Sequence, residues 1–125
     1  MMVNAKEICN ALLQAGAVAG LVGEENLYNA YPALIEEFPS VIVLDENQRD
    51  AEFADNRPMV SVCTVALHIF TKSIEGYPTS SEIGIAAAGV MNSDFWHCVQ
   101  NGEVADPQPD VEHRIMKFTK AVFVD

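Results

Sequence analysis

The side chains in this sequence that could perform chemistry are three cysteines, three histidines and eighteen carboxylates, and their spacing decides which of them can act together. Cys63 and His68 are the first pair to weigh, because both fall in one β-branched run, Met59 to Thr71. A thiol nucleophile needs its base within hydrogen-bond reach, whereas an odd separation places two side chains on opposite faces of a regular strand. Cys63 therefore reads as core packing. Asp94 and His97, at i and i+3, would face each other on a helix, where a carboxylate can orient an imidazole as a general base. The plain alternative is a helix-end contact, with His97 favoured by the C-terminal dipole. Asp45-x-Asn47 opens like a calcium loop, but Arg49 and Asp50 stand where an Asx and the obligatory Gly belong, and no Glu closes it at the required place. Asp110 with Glu112, and Glu36 with Glu37, read as surface charge. The phosphate-loop, dinucleotide, nucleophile-elbow and zinc-protease motifs do not occur. No catalytic residue, metal ligand or cofactor site is assigned.

The elements that would position these groups follow from local pattern. Asn4 and Glu7 form a variant capping box that starts a helix, with Ile8, Leu12, Ala15 and Ala19 on one apolar face. Gly16 divides that helix from a short turn, Ala17 to Val22, which Gly23 ends. Glu24 to Ser40 reads as a connecting segment with at most one short strand. Val41 to Leu44 is a buried strand, and Asp45 to Pro58, rich in acids, reads as a long exposed loop. Met59 to Thr71 is an extended strand apolar on both faces, so it belongs in the middle of a sheet, covered by helices on one side and by a neighbouring subunit on the other. Pro78, Thr79 and Glu82 cap a helix whose face is Ile83, Ala86, Ala87, Val90 and Met91. Asn92 or Ser93 then caps a further short helix through Phe95, Trp96 and Val99, ending at Asn101 and Gly102. Pro107 and Pro109 force a loop before a last strand, Val111 to Val124. The order predicts one α+β domain over residues 1–125, a small mainly antiparallel or mixed β-sheet with helices packed on one face.

Composition bounds the partners. Half of the 125 residues are hydrophobic, enough for one core, and the formal net charge of −11 repels phosphate and acidic membranes. With seven scattered Lys and Arg, sequence-specific nucleic-acid binding is not expected. Three widely spaced cysteines without a C-x-x-C pair suit a reducing compartment, and no signal peptide or membrane anchor is read.

The arrangement resembles the tail terminator and tail-completion (head-tail joining) proteins of tailed bacteriophages. The likeness runs through Leu12-Leu13, Ala17 to Gly23, the turn Tyr31-Pro32, the proline-led strand Phe38 to Val43 and the long strand ending His68-Ile69-Phe70-Thr71-Lys72. An alanine-rich helix and a last strand carrying His113 to Phe118 complete it. The long acidic segment and Phe95-Trp96 depart from the family pattern. The resemblance implies a non-enzymatic virion protein, present in the host bacterial cytoplasm before assembly. It implies a ring, commonly a hexamer, that caps the tail tube, contacts the tail-tube and head-tail connector proteins, and lets DNA pass. In so acidic a chain the few cations Arg49, Arg57, Arg114, Lys117 and Lys120 are the natural complements to a neighbour's carboxylates, and Trp96 is a candidate interaction anchor, with core burial as the alternative. Two other classes stay open: a small cytosolic enzyme using His97 or His113 with a carboxylate, and a monomeric binding adaptor anchored by Trp96.

Overall fold

A computed structural model describes residues 5–28, 37–54 and 57–123, with the backbone alone for 24, 50–54 and 57–59. Asn4, Tyr31-Pro32, Glu36 and Val124, named above, lie outside the described residues. Two helices open the chain, α1 (Ala5–Ala15) and α2 (Ala17–Val22), broken at Gly16 as the sequence predicts. The break also serves packing, because a Cβ on Gly16 would stand 2.4 Å from Cγ2 of Val90 on the facing helix. Gly23, at φ 94°, ends α2 and donates its N–H to the Ala19 carbonyl at 2.9 Å. The buried stripe of α1 runs through Ala5, Cys9 and Leu13, so Ile8 is left 44% exposed and not on the core face. Small side chains at positions 5 and 9 let the helix approach the sheet closely.

After a 3-10 turn at Glu24–Asn26 come β1 (Leu27–Tyr28), β2 (Ser40–Ala54) and β3 (Arg57–Lys72). These are followed by α3 (Ser80–Ser93), β4 (His97–Val104) and β5 (Val111–Phe123). Among the described residues the strands form one mixed sheet, ordered β1-β2-β3-β5-β4, with β1 parallel to β2 and the other pairings antiparallel. β3 lies in the middle, as its two apolar faces require. Its odd positions Cys63, Val65, Leu67 and Ile69 join the core formed with all three helices, Met116 and Phe118. The even positions face the other way, where Phe70 joins Ile42 and Val111 in a smaller cluster that Tyr28, Phe38 and Leu44 flank. The fold is α+β, with the helices on one face of the sheet.

Two expectations are corrected here. The acidic stretch Asp45 to Pro58 is not a loop: β2 runs to Ala54 and pairs with β3 as far as Arg57. Asp45, Glu46, Asn47 and Arg49 are exposed, so their polarity marks where they point and not how the backbone is bonded. Register shifts at Asp45/Asn47 and Asp50/Glu52 absorb extra residues, and the β-branched β3 supplies a template that overrides weak local propensity. Among the described residues, β2 beyond Ile42 pairs with β3 alone, and charge on such an edge discourages further pairing.

The second correction concerns residues 92 to 101, where a strand replaces the expected short helix. Ser93 does not cap a new helix: it is the last residue of α3, and its hydroxyl donates back to the Val90 carbonyl at 2.6 Å. The chain then reverses at Phe95, whose φ of 66° is left-handed, and Trp96 donates its N–H to the Met91 carbonyl at 3.0 Å. β4 follows, antiparallel to β5. The start of α3 matches expectation: the Thr79 hydroxyl accepts the Glu82 N–H at 3.1 Å.

Candidate assembly surfaces

Strand parity places Cys63 and His68 on opposite faces, Cys63 fully buried and His68 half-buried on the side away from the helices. Burial raises the Cys63 thiol and pushes that of Cys9 up to about 12, so both are inert as nucleophiles. Asp94 and His97 do not act as a helical pair, because α3 ends at Ser93, before both of them. Asp94 accepts from Lys120 Nζ at 3.1 Å, and His97 is an exposed first residue of β4. His113 meets another imidazole: His68 Nδ1 and His113 Nε2 are 3.0 Å apart, and the His113 ring stacks on Phe70 at 4.2 Å. Burial lowers both imidazoles below their ordinary value, and for His68 the neighbouring His113 adds to the effect. Both histidines are visible in the sequence, but only the β3–β5 register brings them together. Among the described residues no three His, Cys, Asp or Glu side chains group as metal ligands.

Among the described side chains, Arg114, Lys117 and Lys120 have partners within the chain. Arg114 donates from Nε to Ser80 Oγ at 3.2 Å and from Nη1 to Asn101 Oδ1 at 2.8 Å, and its Nη2 lies 3.5 Å from Glu103. Ser80 in turn donates its hydroxyl to Glu103 at 2.8 Å and its N–H to Glu112 at 3.1 Å, so this network fastens the start of α3 to β4 and β5. Lys117 Nζ lies 2.6 Å from Glu46, and Lys120 stands 5.9 Å over the Trp96 ring beside Asp94. Arg49 is exposed, and Arg57 pairs through its backbone with Ala54 at the hairpin end.

Trp96 is not a surface anchor. It is 1% exposed and packs in the main core, with its indole N–H finding no acceptor among the described residues, while Phe95 is 74% exposed. The left-handed turn at Phe95 drives one aromatic inward and its neighbour outward, and two adjacent aromatics in a sequence carry no signal of which goes where. What remains as surface for contact is of two kinds. Among the described residues β4 pairs with β5 only, so its outer edge presents backbone donors and acceptors beside Val99 and Val104. The sheet face away from the helices shows Val62, Thr64, His68, Ile115 and Lys117, each half-buried. A small cavity of about 100 Å³ between α3, β4 and β5, lined in part by Ile85, Asn101 and Arg114, is too small for a drug-sized ligand.

No protein-family model matches the chain, and no curated protein matches it. Among solved structures it is similar to a chain from the virion of a native gene transfer agent particle, at a TM-score of 0.61 and 18% identity. The match covers 95% of this chain and 94% of the other, so the two share a fold from end to end.

Proposed function

We propose that this chain is a structural protein of a phage or phage-like virion. It forms a ring at the end of the tail, as a tail terminator or tail-completion protein does, and works through protein surfaces and not through bond chemistry. The observation that carries the reading is the end-to-end likeness to a chain whose setting is a virion particle. The burial of Cys63 and Trp96, and the engagement of Asp94 by Lys120 away from the exposed His97, support the same reading.

In this reading the copies meet head to tail and close into a ring, a hexamer by analogy with the tail terminators, between the tail-tube protein and the head-tail connector proteins. Arg49 and Arg57 are the cations assigned to a neighbour's carboxylates, and Arg114, Lys117 and Lys120 are engaged within the chain. Part of the net charge of −11 lines the lumen and keeps passing DNA from sticking. Light scattering across a wide concentration range tests the ring: a fixed mass of several copies is expected, and Arg49→Glu with Arg57→Glu lowers it. A chain that stays monomeric at every concentration, and also with tail-tube protein present, overturns the proposal. A ring whose lumen is neutral or basic overturns the part concerning DNA.

A further inference from the structure

On the sheet face away from the helices, two imidazoles that no role above requires are held against each other across two strands. We propose that His68 and His113 form an acid-sensitive fastening between β3 and β5, joining the strands when neutral and driving them apart when both rings are protonated. The geometry carries this. His68 Nδ1 and His113 Nε2 approach to 3.0 Å, with ring centroids 5.3 Å apart and tilted by 35°. At that distance one nitrogen must donate and the other accept. A pair carrying one proton too many keeps the bond as N–H⁺···N. A pair carrying two has N–H groups facing each other with no acceptor between them and two positive charges in contact. His113 cannot easily swing away, because its ring is stacked on Phe70 at 4.2 Å with an interplanar angle of 21°.

Among the described residues the surrounding charges do not cancel this. From β2, Glu46 favours a charged His68, but Glu46 is shared with Lys117 of β5 at 2.6 Å, and Lys117 opposes the charge. Asp106, in the connection from β4 to β5, favours a charged His113. On β3, Lys72 is paired with Asp110 at 3.7 Å, and β1 contributes only Tyr28, which flanks the Phe70 cluster. Among the described residues of β4, the position opposite His113 is Val104, which is uncharged. Burial is the leading cause holding both rings below the ordinary 6.5, with the His113 charge the next cause for His68.

The sign follows from linkage. As pH falls through about 6.5 the unfolded chain takes up protons that the folded chain refuses, so stability is complete above that value. It is lost progressively as pH falls from there to the lowered folded values, and it levels off below them. Each refused proton shifts the folding equilibrium by up to about ten-fold per pH unit, and two by up to about a hundred-fold. Carboxylates titrate mainly below about pH 5, which leaves the window above it to the imidazoles.

The test follows ring-proton NMR and denaturant unfolding from ~pH 8 to ~pH 5 in a His97→Gln background, which leaves only the two rings of interest. The two signals are expected to titrate as a coupled pair in two separated steps, with a parallel loss of stability. In His113→Phe, which keeps the stack on Phe70, the His68 step moves up and the loss of stability at least halves. If that variant does not fold, His68→Gln makes the same comparison, and the two-ring titration decides without either. Independent single steps at or above the ordinary value, or a variant whose stability profile overlays the parent, overturn the proposal.

Discussion

Lys117 and Phe118 are neighbours on β5, and they meet opposite surroundings. Phe118 points toward the helices and is fully buried among Cys63, Met116 and Trp96, whereas Lys117 points to the other face and reaches across β3 to Glu46. The same split runs along β3, with Leu67 in the core and His68 on the far side. Each strand alternates, but the two faces are stabilised by different physics. One is held by apolar burial, which is non-directional and scales with area. The other carries, beside the smaller Ile42–Phe70–Val111 cluster, specific side-chain pairs: Thr119 to the Cys63 carbonyl at 3.2 Å, Lys117 to Glu46 and His68 to His113, of which the last two respond to salt or pH. A subunit built this way has a rigid side that sets its shape and an adjustable side left for conditions or neighbours to act on.

The largest effect should therefore come from the helix side. Phe118→Ala removes a fully buried ring and is expected to cost about 3–5 kcal/mol, read as a shift in the denaturant midpoint. A cost under about 1 kcal/mol would mean that the core can collapse around the missing ring, and the contrast between the faces would fail. Gly16→Ala probes the same layer from the helix side. The backbone there is extended, at φ −107° and ψ −170°, so alanine gains no helix propensity, and its Cβ would meet Val90 Cγ2 at 2.4 Å. The expected cost is about 1–3 kcal/mol, relieved in part by Val90→Ala. A neutral Gly16→Ala would show that α1 and α3 are free to separate.

How much of this was legible in the sequence divides along the same line. Features set by a few neighbouring residues were legible: the break at Gly16, the stop at Gly23, the Thr79 cap, and the parity that separates Cys63 from His68. Features imposed by a distant partner were not. Asp45 to Ala54 looks like loop because strand pairing with β3 is not encoded in its own side chains. His97 to Val104 reads as helix only until the Ser93 hydroxyl is seen bonding backward and Phe95 turning left-handed. The His68–His113 contact needs the β3–β5 register, which no local pattern supplies. The five cations were visible as rare charges, but that three of them are already paired within the chain depends on which strands lie side by side.

The smallest expected effect is the sharpest test of the adjustable face. Lys117 and Glu46 are 2.6 Å apart, but their side chains remain 29% and 38% exposed, so water and salt compete for both charges. A double-mutant cycle with Lys117→Ala and Glu46→Ala should give a coupling of about 0.2–1 kcal/mol that shrinks in ~1 M salt, where the screening length is only about 3 Å. Phe118→Ala, one residue away, should keep its full cost at the same salt, because apolar burial carries no charge to screen. If the ion-pair coupling reaches the size of the Phe118 effect, or ignores salt, then the face away from the helices is as strongly built as the core. A neighbouring copy covering that face would produce such a result, by taking the pair out of water. Repeating the cycle above and below the concentration at which the mass changes would then separate a property of the subunit from one of its assembly.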